Sequence, residues 1–496
     1  MTTTAPLQPT ISSGVPGLDT VLAGGFTRNR LYLVEGVPGA GKTTLAMQFL
    51  REGVARGEKV LYVTLSETID ELREMADSHG WSLDGIEIFE LLENNEHLDG
   101  DAPYTMFHPS EIELAETTQR VLDKVRATQP QRLVFDSLAE LRLLSGSALR
   151  YRRHVLSLKQ ALAGQSCTTL LLDHAGTDQQ GLHVHTIVHG VIHLSSSPSN
   201  FGGDRHRVRV SKYRGRRIVG GYHDYRIDTG GLRVFPRLIA SQFRRPRGQE
   251  TVPTGSPPLD ALLGGGIDRG TSTLLVGAAG TGKSSLSTLI AETAAKRGEH
   301  ASLFAFDESL QSVLTRSAGM GMPLESYIDD GMVHVQAVDP AEFSPGEFTQ
   351  LVREAVEVRG SRVIVIDSLN GYLNAMPEEE HMMLQLHELL AYLASMDVLT
   401  VLVSAQLGLI GTMTSSVDVS YLADSVVLLR YFEAAGEVKQ AISVLKKRTG
   451  SHERTIRPMR LTTSGFVIGE PLRDFRGVLT GVPQERTPPA GAGAAS

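Results

Sequence analysis

The pattern G-x-x-x-x-G-K-[ST] occurs twice in this chain, as Gly36-Val-Pro-Gly39-Ala-Gly41-Lys42-Thr43 and as Gly277-Ala-Ala-Gly280-Thr-Gly282-Lys283-Ser284, with the two lysines 241 positions apart. In such a loop glycines let backbone N–H groups close around phosphate oxygens, the lysine reaches the outer phosphates, and the hydroxyl after it holds Mg²⁺. The flanks supply the context this chemistry requires. Leu31-Tyr-Leu-Val34 and Thr273-Leu-Leu-Val276 read as short buried strands entering the loops. Thr44 to Arg51 and Ser285 to Glu292 read as helices leaving them, so phosphate would meet a helix N-terminus. Thr44 and Ser285, one position past the Thr43 and Ser284 hydroxyls, complete the two phosphate-binding sets.

The duplication extends well beyond the loops. Ser13-Gly-Val-Pro-Gly-Leu18-Asp19 and Thr254-Gly-Ser-Pro-Pro-Leu259-Asp260 lead in at the same offset of 241, and Glu67 and Glu308, after the next apolar runs, keep it. A third pair of apolar runs, ending at Asp136 and Asp367, is offset by 231, so the second copy is ten residues shorter between these points. Both copies close on a basic segment, Lys212-Tyr-Arg214-Gly215 and Lys446-Lys447-Arg448-Thr-Gly450. Apolar runs alternating with helical stretches predict an α/β chain of two tandem P-loop domains, each a mostly parallel twisted sheet flanked by helices, with ligands at the carboxyl ends of the strands. The polar, proline-bearing stretch from Phe243 to Pro253 reads as a linker, which gives domains 1–247 and 248–482. Residues 483–496, rich in Ala, Gly and Pro, cannot build a core and are expected to be disordered.

At 496 residues the chain exceeds the size of a usual single core, which the duplication answers. A net charge of −8 gives no global reason to expect nucleic acid or a membrane surface as partner. The N-terminus lacks a basic segment followed by an apolar one, and no apolar run approaches the length of a spanning helix, so a cytoplasmic location without membrane insertion is expected. The single cysteine, Cys167, lies in an apolar run and reads as a buried small hydrophobe.

Phosphoryl transfer needs phosphate clamps, a metal, a carboxylate beside the nucleophile and often a cation from a neighbour. Asp136 and Asp367, at the ends of buried strands, are placed to hold Mg²⁺ with Thr43 and Ser284; the competing reading is a helix cap. Glu67, and the pair Asp307/Glu308, end another strand and could activate water or a hydroxyl. Lys212 and Arg214, and Lys446 and Arg448, could reach a neighbouring subunit's ATP, as an arginine finger does, or be solvated strand residues. The run Arg205-His-Arg-Val-Arg-Val-Ser-Lys-Tyr-Arg-Gly-Arg-Arg217 alternates basic with apolar residues, which fits an amphipathic strand and also admits nucleic acid. His185, His189 and His193 have metal-like spacing only if helical, whereas His189 to Leu194 reads as a strand.

With these motifs in this order, the chain from about Gly14 to Val482 resembles the KaiC family of double-domain RecA-like ATPases and autokinases. The resemblance implies a hexameric ring with ATP bound between subunits, Mg²⁺-dependent ATPase activity, and phosphorylation of the second domain. It implies Asp307 as general base and Lys446 with Arg448 as contacts to ATP. That family carries adjacent acidic residues after a phenylalanine in both domains. Here Phe306-Asp307-Glu308 keeps them and Leu65-Ser66-Glu67 does not, so hydrolysis in the first domain rests on Glu67. Alignment on Asp424 puts Ser420 and Tyr421 where the family has its serine and threonine phosphoacceptors, with Ser415 a further candidate; tyrosine in place of threonine is a departure. The tail is short for a clock protein of this family, which implies a homologue with a regulatory role outside the oscillator and with unidentified protein partners. The competing functions are a RecA-like DNA-dependent ATPase, for which Gln406 would be the responsive strand-end residue, and an ATP-operated scaffold without kinase activity.

Overall fold

A computed structural model describes residues 8–91, 109–174, 182–198, 202–243, 250–339, 341–374, 382–406, 419–463, 465–480 and 483–485. The chain divides into two compact units, 1–237 and 238–496. This division precedes the linker position near Arg247, because Leu238 is buried in the second unit's core and Phe243 packs against it. Of the tail, Gln484–Glu485 pairs antiparallel with Phe475–Arg476, and 486–496 lie outside the described residues.

The first unit holds one nine-stranded sheet in the order Gly231–Phe235, Tyr222–Asp228, Arg205–Tyr213, Gly190–Ser197, Leu31–Gly36, Thr168–His174, Arg132–Asp136, Val60–Thr64, Ile86–Glu90. From Gly190–Ser197 to Ile86–Glu90 all neighbours are parallel, and the three remaining strands are added antiparallel. The second unit repeats the plan as Val333–Ala337, Ala301–Ala305, Val363–Asp367, Leu399–Ala405, Ser272–Gly277, Ser425–Ala434, Glu437–Lys447, Arg457–Thr462, Gly465–Ile468. The tandem RecA-like α/β architecture expected from the motif order is thus present in both halves.

Parallel strands covered on both faces must be apolar on both, and these are. Tyr32 and Val34 pack with Leu45 and Phe49 of the helix Lys42–Ala55 on one face, while Leu31 and Leu33 join Leu171, Val155 and Leu158 on the other. Strands Leu31–Gly36 and Val60–Thr64 are consecutive in the parallel set, yet two other strands lie between them. The chain therefore leaves the phosphate-loop strand in opposite directions on its two sides, which opens a crevice at the carboxyl ends. Among the described residues no helix is long and apolar enough to cross a membrane.

In the second unit Phe348 is fully buried, with its ring 5.4 Å from Phe304, 5.2 Å from Phe306 and 5.1 Å from Tyr372. Phe348→Ala should cost ~3–5 kcal/mol of that unit's stability. The only tryptophan, Trp81, lies in the first unit's core. Denaturant titration should show circular dichroism falling at lower denaturant while the Trp81 fluorescence transition stays in place.

Candidate functional site

Both glycine loops turn from the carboxyl end of a strand into a helix through a left-handed residue. Gly41 has φ 82° and Gly282 φ 94°, and each stands immediately before its helix, Lys42–Ala55 or Lys283–Lys296. A side chain is excluded at the loop entrances as well: a Cβ on Gly36 would lie 2.5 Å from the Leu194 carbonyl oxygen, and on Gly277 2.0 Å from that of Leu429. Lys42 Nζ donates to the carbonyls of Gly36 (2.9 Å) and Val37 (3.0 Å), and Lys283 Nζ to that of Ala278 (2.7 Å), so each ammonium sits within its own loop. Burial lowers the pKa of both lysines, opposed by the charges of Asp136, Asp173 and Glu67 around Lys42 and of Asp367 near Lys283.

The hydroxyl and the strand-end acid meet in both units. Thr43 Oγ1 lies 3.4 Å from Asp136 Oδ2, and Ser284 is hydrogen-bonded to Asp367. Each aspartate is the last residue of its strand, and Ser137, not Asp136, is the cap of the following helix. Burial raises both carboxyls; the Tyr62 hydroxyl, Lys42 and Thr43 pull Asp136 back, and Ser284 and Arg316 pull Asp367 back. The hydroxyl and carboxylate oxygens form a hard donor set that fits Mg²⁺ held with several of its waters.

The remaining acids lie in the turn after the strand and not at its end. The strands stop at Thr64 and Ala305, and Thr64 Oγ1 accepts from Glu67 N at 3.0 Å and donates to the Glu67 carbonyl at 2.7 Å, which folds the chain over before the helix starting at Ile69. The Glu67 carboxyl is pushed up to about 7, first by burial, then by the charges of Asp136 and Glu71, with Lys42 opposing. Glu308 instead pairs with Arg316 at 2.8 Å, and Asp307 accepts a hydrogen bond from Ser368. Met75 stands in the first unit where Arg316 stands in the second, and Ser66 where Asp307 stands. The two units therefore hold their acids by different means.

The basic closers lie at the opposite edge. Lys212 pairs with Val191 and Lys446 with Val426, both near the amino ends of strands adjoining the phosphate-loop strands. Lys212 Nζ donates to the carbonyls of His185 and Val188, and Arg214 to that of Thr186 (2.9 Å). Lys446 Nζ donates to Ser420 O (2.8 Å) and Ala423 O (2.7 Å), and Arg448 to Tyr421 O (2.7 Å). The cations thus pin the segment that carries Ser420 and Tyr421, whose ring is 55% exposed. Ser415 lies outside the described residues. Val208 and Val210 of the basic run are buried and Arg207 reaches Asp224 at 3.5 Å, the pattern of an amphipathic strand. Gln406 donates its backbone N–H to Gly277 O at 3.0 Å, beside the second phosphate loop.

Three groupings were not read from the sequence. Tyr62 donates its hydroxyl to Asp136 Oδ2 at 2.6 Å, and only strand register reveals it: Tyr62 stands opposite Val134, so the acid is its diagonal neighbour on the same face. His185 (2.9 Å) and His193 (2.5 Å) converge on Glu35, the residue before Gly36. His185 lies in the helix Leu182–Ile187 and His193 in the strand Gly190–Ser197, so the helical metal spacing is broken, and no metal-binding group of His, Cys, Asp or Glu occurs among the described residues. Arg316 and Ser368 complete the acid pair of the second unit. Cys167 is buried, and burial pushes its thiol up to about 12.

The family model described as "ATPase: KaiC" matches residues 11–239 and again 252–473. The chain is similar to the "Circadian clock protein KaiC3" of Synechocystis, with 26% identity over 95% of this chain and 94% of the relative. It is also similar to the "Circadian clock oscillator protein KaiC" of Parathermosynechococcus lividus (26% identity, 96% of this chain, 88% of the relative) and of Prochlorococcus marinus (24%, 96% and 96%).

A base must be ionised to take a proton, so with Glu67 in that role, the role proposed below, a carboxyl near 7 would make the first site sensitive to pH. With the second site silenced by Lys283→Ala, phosphate release should rise between about pH 6 and about pH 8. Metal held at Asp136 would offset the charge that helps raise Glu67, so saturating magnesium should move the inflection to lower pH. Glu67→Gln should abolish the inflection and most of the turnover; a pH–rate profile checks both.

Proposed function

The chain belongs to the KaiC family of ATPases, and from that premise we propose that it is a Mg²⁺-dependent ATPase and serine/threonine autokinase, assembled as a homo-hexameric ring with ATP between subunits and acting as a regulatory switch. One observation carries this reading. In each unit the K-x-R segment lies toward the amino end of the parallel strands and the phosphate loop at the carboxyl end: Lys212 and Lys446 stand level with Leu33 and Leu274, three residues before Gly36 and Gly277 and two strands away. That is roughly 10 Å along the strands at about 3.3 Å per residue and about 10 Å across them. Lys212, Arg214, Lys446 and Arg448 donate to carbonyls of their own amino-edge segments, the second pair to the segment carrying Ser420 and Tyr421, and not to their own unit's phosphate loop. A head-to-tail ring brings the amino edge of one copy to the carboxyl edge of the next, and thereby gives the cations and the acceptor a γ-phosphate.

In the second unit the Gly277–Ser284 loop and Lys283 hold the phosphates of ATP, and Ser284 and Asp367 would hold Mg²⁺, which would supply positive charge to the transferred group. Asp307, oriented by Ser368, takes the proton of the acceptor hydroxyl as its oxygen bonds to the γ-phosphorus. The bond from the γ-phosphorus to the bridging oxygen breaks and ADP leaves. Lys446 and Arg448 of the acceptor's own subunit align the acceptor segment and contact the same nucleotide. In the first unit Glu67 takes a proton from water, with Thr43 and Asp136 at the metal and Lys42 at the phosphates, so that unit hydrolyses ATP without an acceptor. The cytoplasm, soluble regulatory protein partners, and no engagement of nucleic acid or membrane belong to the same proposal, which the net charge of −8 supports.

Protein incubated with Mg-ATP should gain phosphate on Ser420, Tyr421 or Ser415 by intact-mass and phosphopeptide spectrometry, and Lys283→Ala alone should not. Mixing Lys283→Ala chains with chains carrying Ser415→Ala, Ser420→Ala and Tyr421→Phe should restore phosphate on the Lys283→Ala chain, because donor and acceptor belong to different subunits. ATP turnover without phosphate incorporation would refute the kinase and leave an ATPase switch. Phosphorylation that dilution to monomer leaves unchanged would refute transfer between subunits.

A further inference from the structure

We propose that Tyr62 is a positioning residue for magnesium in the first unit, a role with no counterpart in the second. The inference rests on Asp136 acting at the metal, as proposed above. Tyr62 lies on the strand Val60–Thr64, fully buried on the face that packs against the phosphate-loop helix, and its hydroxyl donates to Asp136 Oδ2 at 2.6 Å. Thr43 Oγ1 approaches the same oxygen at 3.4 Å. Both donors fall on Oδ2, so the carboxylate is fixed in rotation by the shorter bond, with Oδ1 engaged by neither.

The second unit serves as an internal control. Leu303 pairs with Val365 there as Tyr62 pairs with Val134, two residues before Asp367 and Asp136 respectively. Leucine has no hydroxyl, and among the described residues the side-chain hydroxyl that acts on Asp367 is that of Ser284. Nothing in the packing requires the tyrosine oxygen: both positions are buried and apolar but for that one atom. A buried hydroxyl must find an acceptor, and in this core its acceptor is the proposed metal-holding acid. A phenol carries its proton at physiological pH and so serves as a donor here. Groups that orient metal-holding carboxylates in this way commonly change metal affinity by about 10–100-fold when removed.

The test uses the full chain with Lys283→Ala, so that only the first site binds nucleotide, and ADP as probe, so that turnover does not enter. ADP affinity is measured across a magnesium titration and with chelator. Tyr62→Phe should raise the magnesium concentration for half-maximal tightening of ADP binding by about 10-fold. ADP affinity in chelator should stay as in the parent. Asp136→Asn, run beside it, should also displace the magnesium midpoint. If Asp136→Asn displaces it and Tyr62→Phe does not, the role of Tyr62 is refuted while that of Asp136 stands. If neither displaces it, the metal role of Asp136 fails and the proposal falls with it. An equal loss of ADP affinity in chelator would make Tyr62 a packing residue and overturn the inference as well.

Discussion

Six strands running in one direction give each sheet two chemically different edges, and the rest of the molecule depends on that polarity. The carboxyl edge receives the glycine loop, the strand-end aspartate and the acids in the following turn, because each arrives at the end of a strand that must turn into a helix. The amino edge receives the K-x-R segment, because its strand runs antiparallel and finishes where the others begin. Both units repeat that placement, with the phosphate loop at the carboxyl edge and the K-x-R segment toward the amino edge.

The two units share topology but not electrostatics. In the second, Arg316 answers Glu308 and Ser368 answers Asp307, so each carboxylate has a partner that fixes its direction. In the first, Met75 takes the place of Arg316 and Ser66 that of Asp307, and Glu67 lies near Asp136 with Lys42 to offset it. A carboxylate raised to about 7 by burial and a like charge is suited to exchange a proton with water near neutral pH. An oriented acid pair is suited to a hydroxyl that must be aligned before it reacts. The absence of a second acid at Ser66 thus goes with a wider difference in how the first unit holds Glu67.

Much of this was legible in the chain itself. The glycine loops, their strands and helices, Asp136 and Asp367 at strand ends, and the common offset of Lys212 and Lys446 all follow from patterns local in sequence or repeated along it. What escaped depends on register between strands distant in the chain. Tyr62 sits in an apolar run whose composition says only that it is buried; its bond to Asp136 appears once Val60–Thr64 is set beside Arg132–Asp136. Glu67 was read as a strand end, but the Thr64 hydroxyl ends the strand three residues earlier. The basic closers were visible as cations, whereas their hold on the carbonyls of Thr186, Ser420 and Tyr421 required the folded loop.

The same dependence on register explains the histidines. Spaced at i, i+4 and i+8, they suggest one helical face, yet the chain passes from helix to strand between His185 and His193, and the two meet at Glu35 from different elements. Glu35 is buried beside Gly36, and burial alone would raise its carboxyl; the two histidines more than offset this and leave it below its usual value. The second unit has Val276 and Leu428 at the paired positions and needs no such compensation. A buried carboxylate whose partners come from two other elements ties the helix Leu182–Ile187 to the phosphate-loop strand. The carbonyls of His185 and Thr186 in that helix accept from Lys212 and Arg214. In the first unit, then, the amino-edge cations and the phosphate loop are joined through one short helix by polar contacts, a connection for which the second unit substitutes apolar packing.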